Sequence, residues 1–124
     1  MRMPRAYVAG PYRALSEWQL EEHIREAESV AIELWKMGFS VLCPHKNTAH
    51  FGGILPDDKW IEGDLQWLPF ADVVVLVEGW RKSRGTEIEM KEARRSNIPV
   101  AEWHTGEGQN RLYEILEKVN ERII

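Results

Sequence analysis

The sequence is poor in cysteine: Cys43 is the only one in 124 residues, so no disulfide can form within the chain. Such usage is typical of reducing compartments, and we expect a cytoplasmic protein. Long apolar runs are also missing. The longest, FADVVVLV, contains Asp72 and is far shorter than a membrane span, so no membrane association is predicted. The piece AYVAG near the N-terminus is too short for the core of a signal peptide.

An excess of positive charge is missing as well. The chain has 16 Lys and Arg against 20 Asp and Glu, and its net charge is −4. A basic face for long nucleic acid is therefore not expected, although local cationic spots can still bind a small anion. The remaining composition, 44% apolar and 29% charged, is ordinary for a globular protein, and the length predicts one domain over residues 1–124.

Short apolar segments alternate with segments of helical period along the whole chain. Strands are predicted at 5–10, 39–43, 72–77 and 98–103, and helices at 16–38, 56–68, about 83–96 and 108–124. This alternation predicts a three-layer α/β fold, Rossmann/flavodoxin-like, with helices on both faces of a parallel sheet. We expect four or five strands in the order 2-1-3-4.

Local signals set the expected ends of the helices. Ser16 and Gln19 have the spacing of a capping box, and Gly38 is a C-terminal stop. Thr86 and Glu89 have the same spacing at the start of the helix after the third strand. The segment 44–55, PHKNTAHFGGIL, shows no apolar periodicity and is predicted to be a long loop.

Ligands of parallel α/β sheets bind beyond the carboxyl ends of the strands. That rule selects the loops Gly10 to Arg13, Pro44 to Leu55 and Glu78 to Gly85. The site is therefore expected where these three loops meet.

Two acids are candidates for chemistry at this edge. Glu89 lies near the apolar face of its helix, where the helix terminus favours the ionised form and burial opposes it. Asp64 lies at the border of the apolar stripe of the preceding helix. Cleavage of a glycosidic bond needs a carboxylate at the sugar carbon and a second acid near the leaving group. The alternatives are a capping acid at Glu89 and a solvated aspartate at Asp64.

Other polar groups at the strand ends fit a phosphate. Gly10 allows close backbone approach, Arg13 and Arg84 are cations, and Ser83 with Gly85 offers a hydroxyl and helix-terminal amides. The alternative for both arginines is a solvated surface position.

The long loop offers side chains that could read a base. His45 and Asn47 can hydrogen-bond a base edge, with a role in structuring the loop equally open. The histidine spacing matches no zinc pattern, so neither a metal nor a cofactor is predicted. Tyr7 can present its hydroxyl to the nucleophile or be an ordinary buried strand tyrosine.

Four motifs together, YVAGPYRA, GFSVLCPH, GDLQWLPFADVVVLV and SRGTEIEMKEA, resemble the nucleoside 2-deoxyribosyltransferase-like superfamily. The similarity runs from Tyr7 to about Val100. It is closest to the small phage and bacterial branch and to the 2′-deoxynucleoside 5′-phosphate N-hydrolases. The resemblance implies one domain of this type, with Glu89 as nucleophile, Asp64 as the helix-borne aspartate and Tyr7 as the strand tyrosine.

The same resemblance implies how a phosphate is held. It places Arg13 in the phosphate-binding loop, Gly85 at the motif glycine, and Ser83 where the hydrolases bind phosphate. Two positions depart from the hydrolases: Pro11 replaces a phosphate-binding serine, and Glu87 replaces a small residue. An acid at 87 would repel phosphate unless its side chain turns outward.

The expected function is hydrolysis of the N-glycosidic bond of a (deoxy)nucleoside 5′-monophosphate through a glycosyl-enzyme on Glu89. The alternatives are base exchange between deoxynucleosides and nucleotide sensing without turnover. The partner is a small nucleotide or nucleoside, and the resemblance implies a homodimer or larger homo-oligomer. The expected substrate-binding residues are Gly10, Pro11, Tyr12, Arg13, His45, Asn47, Trp60, Ser83, Arg84 and Gly85.

Overall fold

The computed structural model describes residues 2–123, in which strands and helices alternate. The elements in chain order are β1 (Arg5–Ala9), α1 (Glu17–Met37), β2 (Ser40–Leu42), α2 (Pro44–Asn47), α3 (Asp57–Trp67), β3 (Val73–Leu76), α4 (Arg84–Arg95), β4 (Val100–Glu102) and α5 (Gly106–Ile123). Short 3-10 turns occupy Leu68–Phe70 and Trp80–Lys82. The last residue of the predicted C-terminal helix, 124, lies outside the described residues.

All strand pairs are parallel, and the strand order is β2-β1-β3-β4. Tyr7 of β1 lies opposite Leu42 on one side and Val74 on the other. The predicted fold class and strand order are therefore confirmed, with four strands in the sheet. The fold is consistent with a Rossmann/flavodoxin-like architecture.

The two faces of the sheet carry separate cores because successive side chains of a strand point to opposite faces. Val8 and Val75 pack against α1 and α5 on one face. Tyr7, Val74 and Leu76 pack on the other face with residues of α3, α4 and the Leu68–Phe70 turn. Tyr7 is thereby directed toward the helices that carry Asp64 and Glu89.

The ends of α1 are as predicted. The Ser16 Oγ accepts a hydrogen bond from the Gln19 amide at 3.1 Å. Gly38 ends the helix with φ 113°, in the left-handed region that glycine adopts without a steric penalty.

The predicted cap of α4 was wrong. Ser83, not Thr86, is the N-cap, and its Oγ accepts from the Thr86 amide at 3.2 Å. Ser83 has extended backbone angles, whereas Thr86 already lies inside the first helical turn and is buried. A capping oxygen must precede the helix to reach the N3 amide, so the earlier hydroxyl takes that role.

The segment predicted to be a loop throughout contains α2. Pro44 occupies its first turn, where the missing amide hydrogen has no cost. A helix of four residues is too short to show apolar periodicity, which explains why the sequence did not predict it. Residues 48–56 have no regular structure, and His50 adopts φ 67°.

Within residues 2–123, no helix combines the length and the apolar character needed to cross a bilayer.

Candidate active site

A cavity of about 280 Å³ lies at the carboxyl ends of β1 and β3, between the starts of α3 and α4. It is where the strand-end rule predicts a site. Most of the predicted site residues line it. They are Gly10, Pro11, Tyr12, Arg13, His45, Trp60, Asp64, Ser83, Arg84, Gly85 and Glu89.

Two predicted residues do not line the cavity. Asn47 is exposed at the end of α2, outside the lining. Tyr7 is 1% exposed and lies within the core, where its hydroxyl donates a hydrogen bond to the Glu89 Oε2. The structure thus brings Tyr7 to the site through Glu89.

Burial controls the ionisation of this pair. Glu89 is 8% exposed, and burial raises its pKa to about 8; the charge of Asp64 adds to the rise and the Tyr7 hydrogen bond opposes it. Burial beside Glu89 likewise raises the pKa of Tyr7 far above its ordinary value, so the phenol stays protonated. Of the two opposing effects foreseen for Glu89, burial prevails over the helix terminus.

Asp64 occupies the cavity wall on α3. It is half-buried, and burial raises its pKa to about 6. The interpretation as a solvated aspartate therefore does not describe it. Two carboxyl groups with pKa values about two units apart share one cavity, an arrangement in which one can carry a proton while the other is charged.

The start of α4 offers donors for an anion. The first intrahelical bond runs from the Glu87 amide to the Ser83 carbonyl, so the preceding amides of Arg84 and Gly85 have no helical acceptor. The Ser83 Oγ accepts from the Thr86 amide and hydroxyl, which leaves its own O–H proton for an anionic oxygen.

Two charged residues, Glu87 and Lys82, lie near the start of α4, which we call the anion subsite. Glu87 points outward, is 70% exposed and lies 4.0 Å from the Lys91 Nζ, so it does not line the cavity. Lys82, in contrast, does line it and adds a cation beside Arg84. The start of α4 therefore carries two cations, and the outward direction of Glu87 weakens the repulsion foreseen for an acid at that position.

His45 organises the loop after β1. Its Nε2–H donates to the Pro11 carbonyl at 2.8 Å, and burial lowers its pKa, so the ring is neutral. The Nδ1 is buried and has no partner among the described residues. Gly10 precedes this contact, and a Cβ there would lie 2.7 Å from the Val77 Cβ. Of the two interpretations left open for His45, the contacts that the structure shows are those of loop structuring.

Arg13 spans from the β1 loop to the start of α3. Its Nη2 lies 3.5 Å from the Asp57 Oδ2 and 3.9 Å from the Asp58 Oδ1, and all three side chains are exposed. Exposed pairs of this kind are weak, so the guanidinium can exchange these acids for a ligand phosphate at little cost.

Residues 4–102 match the family described as Domain of unknown function (DUF4406). The chain belongs to this family. No curated protein matches the chain significantly. The DUF4406 match extends from before β1 to the end of β4 and so includes all the predicted site residues. Its description names no activity, so the resemblance to the deoxyribosyltransferase-like superfamily stays a prediction.

In this DUF4406 chain, several lining residues were missed by the sequence reasoning. Asp57 and Asp58 were not named as site residues, but they begin α3, and the start of a helix that follows the β2 loop also faces the strand ends. Lys82 lies inside the selected loop Glu78 to Gly85, next to Ser83, and was identifiable from that position. The remaining missed residues are Pro44, Thr48, Ile61, Thr86 and Ile88.

One group within the described residues has the composition of a metal site. Glu26, Glu78 and His104 place their ligand atoms within 4.8 Å of one another, and all three are exposed. None of them lines the cavity. The carboxylates that line the cavity are those of Asp57, Asp58, Asp64 and Glu89. The first two already pair with Arg13.

Proposed function

We propose that this protein hydrolyses the N-glycosidic bond of a (deoxy)nucleoside 5′-monophosphate, releasing the free base and the sugar phosphate. The observation that carries the proposal is the arrangement of Glu89, held by Tyr7, and Asp64 in the wall of one cavity that also contains the start of α4. Two acids there fit cleavage at a sugar carbon, and the helix start fits a phosphate.

The first step is displacement at the anomeric carbon. Because the Tyr7 hydroxyl occupies Oε2 of Glu89, Oε1 is the oxygen that attacks C1′. The C1′–N bond breaks, its electron pair leaves with the base, and the Asp64 carboxyl donates a proton to that nitrogen. The product is a glycosyl ester on Glu89.

The second step restores the enzyme. Asp64, now ionised, takes a proton from a water molecule that attacks C1′, and the ester bond to Glu89 breaks with its electron pair returning to the carboxylate. The anomeric configuration is retained because two displacements occur. Three groups hold the phosphate: Ser83, Arg84 with its amide, and Arg13 once it leaves the acids of α3.

The pKa values define the pH dependence of this cycle. The productive form has Glu89 ionised and Asp64 protonated, the reverse of the order favoured by pKa values of about 8 and about 6. Among singly protonated molecules about 1% are then in that form. Activity should rise through pH 6 and fall through pH 8, with a maximum near pH 7.

The test is release of free base from a panel of nucleoside and deoxynucleoside 5′-monophosphates carrying each common base, measured by liquid chromatography. Glu89→Gln should lower turnover by about 10³-fold or more because the nucleophile is lost. Asp64→Asn should lower it by about 10²-fold or more because base departure is no longer assisted. Glu87→Gln, on the same helix but outside the cavity, is the matched control and should change turnover little.

Two further outcomes separate the alternatives. A new nucleoside formed when a second base is added would favour base exchange. Tight binding of monophosphates without release of any base, unaffected by Glu89→Gln, would favour a sensing domain and contradict the proposed hydrolysis.

The proposal includes a cytoplasmic location and self-association. Large apolar side chains, Leu15, Trp18, Trp67 and Phe70 among them, are exposed on the described chain. Exposed aromatic residues of this kind are enriched at subunit contacts. Sedimentation analysis tests this part, and a monomer at micromolar concentration would contradict it.

A further inference from the structure

Glu102, at the end of β4, makes two hydrogen bonds to the turn that leads into the anion subsite. Its Oε1 accepts from the Trp80 Nε1 and from the Arg81 Nη2, both at 3.1 Å. The Arg81 guanidinium carbon lies 4.5 Å from the centre of the Trp80 ring. One carboxylate oxygen, an indole and a guanidinium therefore form a compact cluster outside the cavity, since none of the three residues lines it.

The turn held by this cluster ends at Ser83. Gly79 enters it with φ 87°, and the Lys82 amide donates to the Gly79 carbonyl at 3.2 Å. The Ser83 amide then donates to the Trp80 carbonyl at 3.0 Å. Holding the Trp80 side chain in place therefore also holds the Trp80 carbonyl, to which the Ser83 amide is hydrogen-bonded.

Glu102 is itself held on both sides. In the sheet it lies opposite Leu76 of β3. Its carbonyl accepts from the Thr105 hydroxyl at 3.0 Å, and a Cβ at Gly108 of α5 would lie 1.9 Å from that carbonyl oxygen. Only a glycine permits so close an approach, so α5 packs tightly on the backbone of Glu102. The carboxylate extends from a rigid base.

We propose that Glu102 is a positioning residue for the 5′-phosphate subsite and determines preference for monophosphates over free nucleosides. The inference rests on the proposed function, because it takes the start of α4 as the phosphate site. A loop held in its binding geometry before the ligand arrives loses less conformational entropy on binding. Without Glu102, residues 80–83 would have to become ordered when phosphate binds, and the entropy lost in that ordering would weaken phosphate binding.

The effect should be confined to the phosphate. Glu89 follows Ser83 by six residues, about 9 Å along the helix, and is fixed independently by Tyr7. A substrate without phosphate makes no use of the Ser83 subsite. Loss of the Glu102 cluster should therefore weaken binding of the monophosphate and leave the affinity for the deoxynucleoside unchanged.

The experiment compares dissociation constants of a deoxynucleoside 5′-monophosphate and the same deoxynucleoside by calorimetry, in the Glu89→Gln background to prevent turnover. Glu102→Ala should weaken monophosphate binding about tenfold. Glu102→Gln should have a smaller effect, because its amide oxygen still accepts from the Trp80 indole. Trp80→Phe, which keeps a ring but loses the N–H donor, should also weaken monophosphate binding selectively. Glu92→Gln, which removes the charge of the partner of the exposed Arg95 on the same helix, is the control and should change neither constant.

The outcomes are distinct from those of the proposed function. If the wild type binds monophosphates selectively but releases no base, hydrolysis is contradicted while the Glu102 variants still decide the positioning role. Equal weakening for both ligands in Glu102→Gln and Trp80→Phe would overturn that role, as would unchanged binding in Glu102→Ala. A Glu89→Gln parent protein that does not discriminate monophosphate from nucleoside would overturn it too.

Discussion

The hydroxyl of Tyr7 in β1 donates a hydrogen bond to the Oε2 of Glu89 in α4, 82 residues later in the chain. The contact joins the central sheet to the helix that starts at the anion subsite. It orients the carboxyl group, and the other carboxylate oxygen, Oε1, receives no hydrogen bond from the described residues. It also opposes the rise in the Glu89 pKa that burial causes.

Removing this hydrogen bond should change both the rate and its pH dependence. Tyr7→Phe keeps the ring in the core but leaves Glu89 without its donor, so the pKa of Glu89 rises further. Turnover at pH 7 should fall about tenfold or more, and the alkaline limb of the pH profile should move to higher pH. A lowered rate with an unchanged alkaline limb would show that Tyr7 does not act through the ionisation of Glu89.

Protein stability should depend on pH through Glu89. Its carboxyl has a pKa of about 8 in the folded state and an ordinary value of 4.5, so between these values the folded state binds more protons than the unfolded state. The contribution of Glu89 to the free energy of unfolding is therefore greatest below pH 4.5 and falls as pH rises toward 8. From pH 5.5 to 7.5 the fall from this group amounts to about 2 to 3 kcal/mol.

Chemical denaturation of wild type and Glu89→Gln across this range measures the effect. The amide does not titrate, so the variant should gain stability relative to wild type as pH rises. A constant difference between the two proteins would contradict the raised pKa. Asp64 contributes with the same sign in both proteins and therefore largely cancels.

Ser83 should act twice, as a helix cap and as a phosphate donor. Ser83→Ala removes the acceptor used by the Thr86 amide and hydroxyl, at a cost of about 1 kcal/mol or more. The substitution should also raise the KM for a monophosphate and leave the KM for the deoxynucleoside unchanged. Ser16→Ala is the matched control, because Ser16 caps α1 through the Gln19 amide and does not line the cavity. If both variants change KM equally, the hydroxyl of Ser83 has no specific role.

Much of the fold was predictable because its signals are local. The apolar run DVVVLV predicted a strand at 72–77, and β3 is buried throughout, as a strand covered on both faces is. The Ser16 cap and the Gly38 stop fixed α1. The α4 cap was mistaken because two hydroxyls lay three residues apart in SRGT, and sequence spacing alone does not show which one has extended backbone angles.

The location of the site was predictable from the strand ends, but the contacts within it were not. Glu89 and Asp64 were placed by helix periodicity and the strand-end rule, and both line the cavity. The ion pairs from Arg13 to Asp57 and Asp58, and the bond from His45 to the Pro11 carbonyl, join segments far apart in the chain. Such contacts depend on loop conformation, for which periodicity gives no information. The same reason explains why Asn47, placed in the site from loop composition, lies outside it.

The most direct test of the central claim is to detect the covalent intermediate. A reaction with the best monophosphate, quenched with acid within milliseconds, is digested and mapped by mass spectrometry. The account predicts a sugar-phosphate adduct on the peptide that contains Glu89, and no adduct in Glu89→Gln. Base release by the wild type with the adduct on another residue, or with inverted configuration at the anomeric carbon, would contradict it.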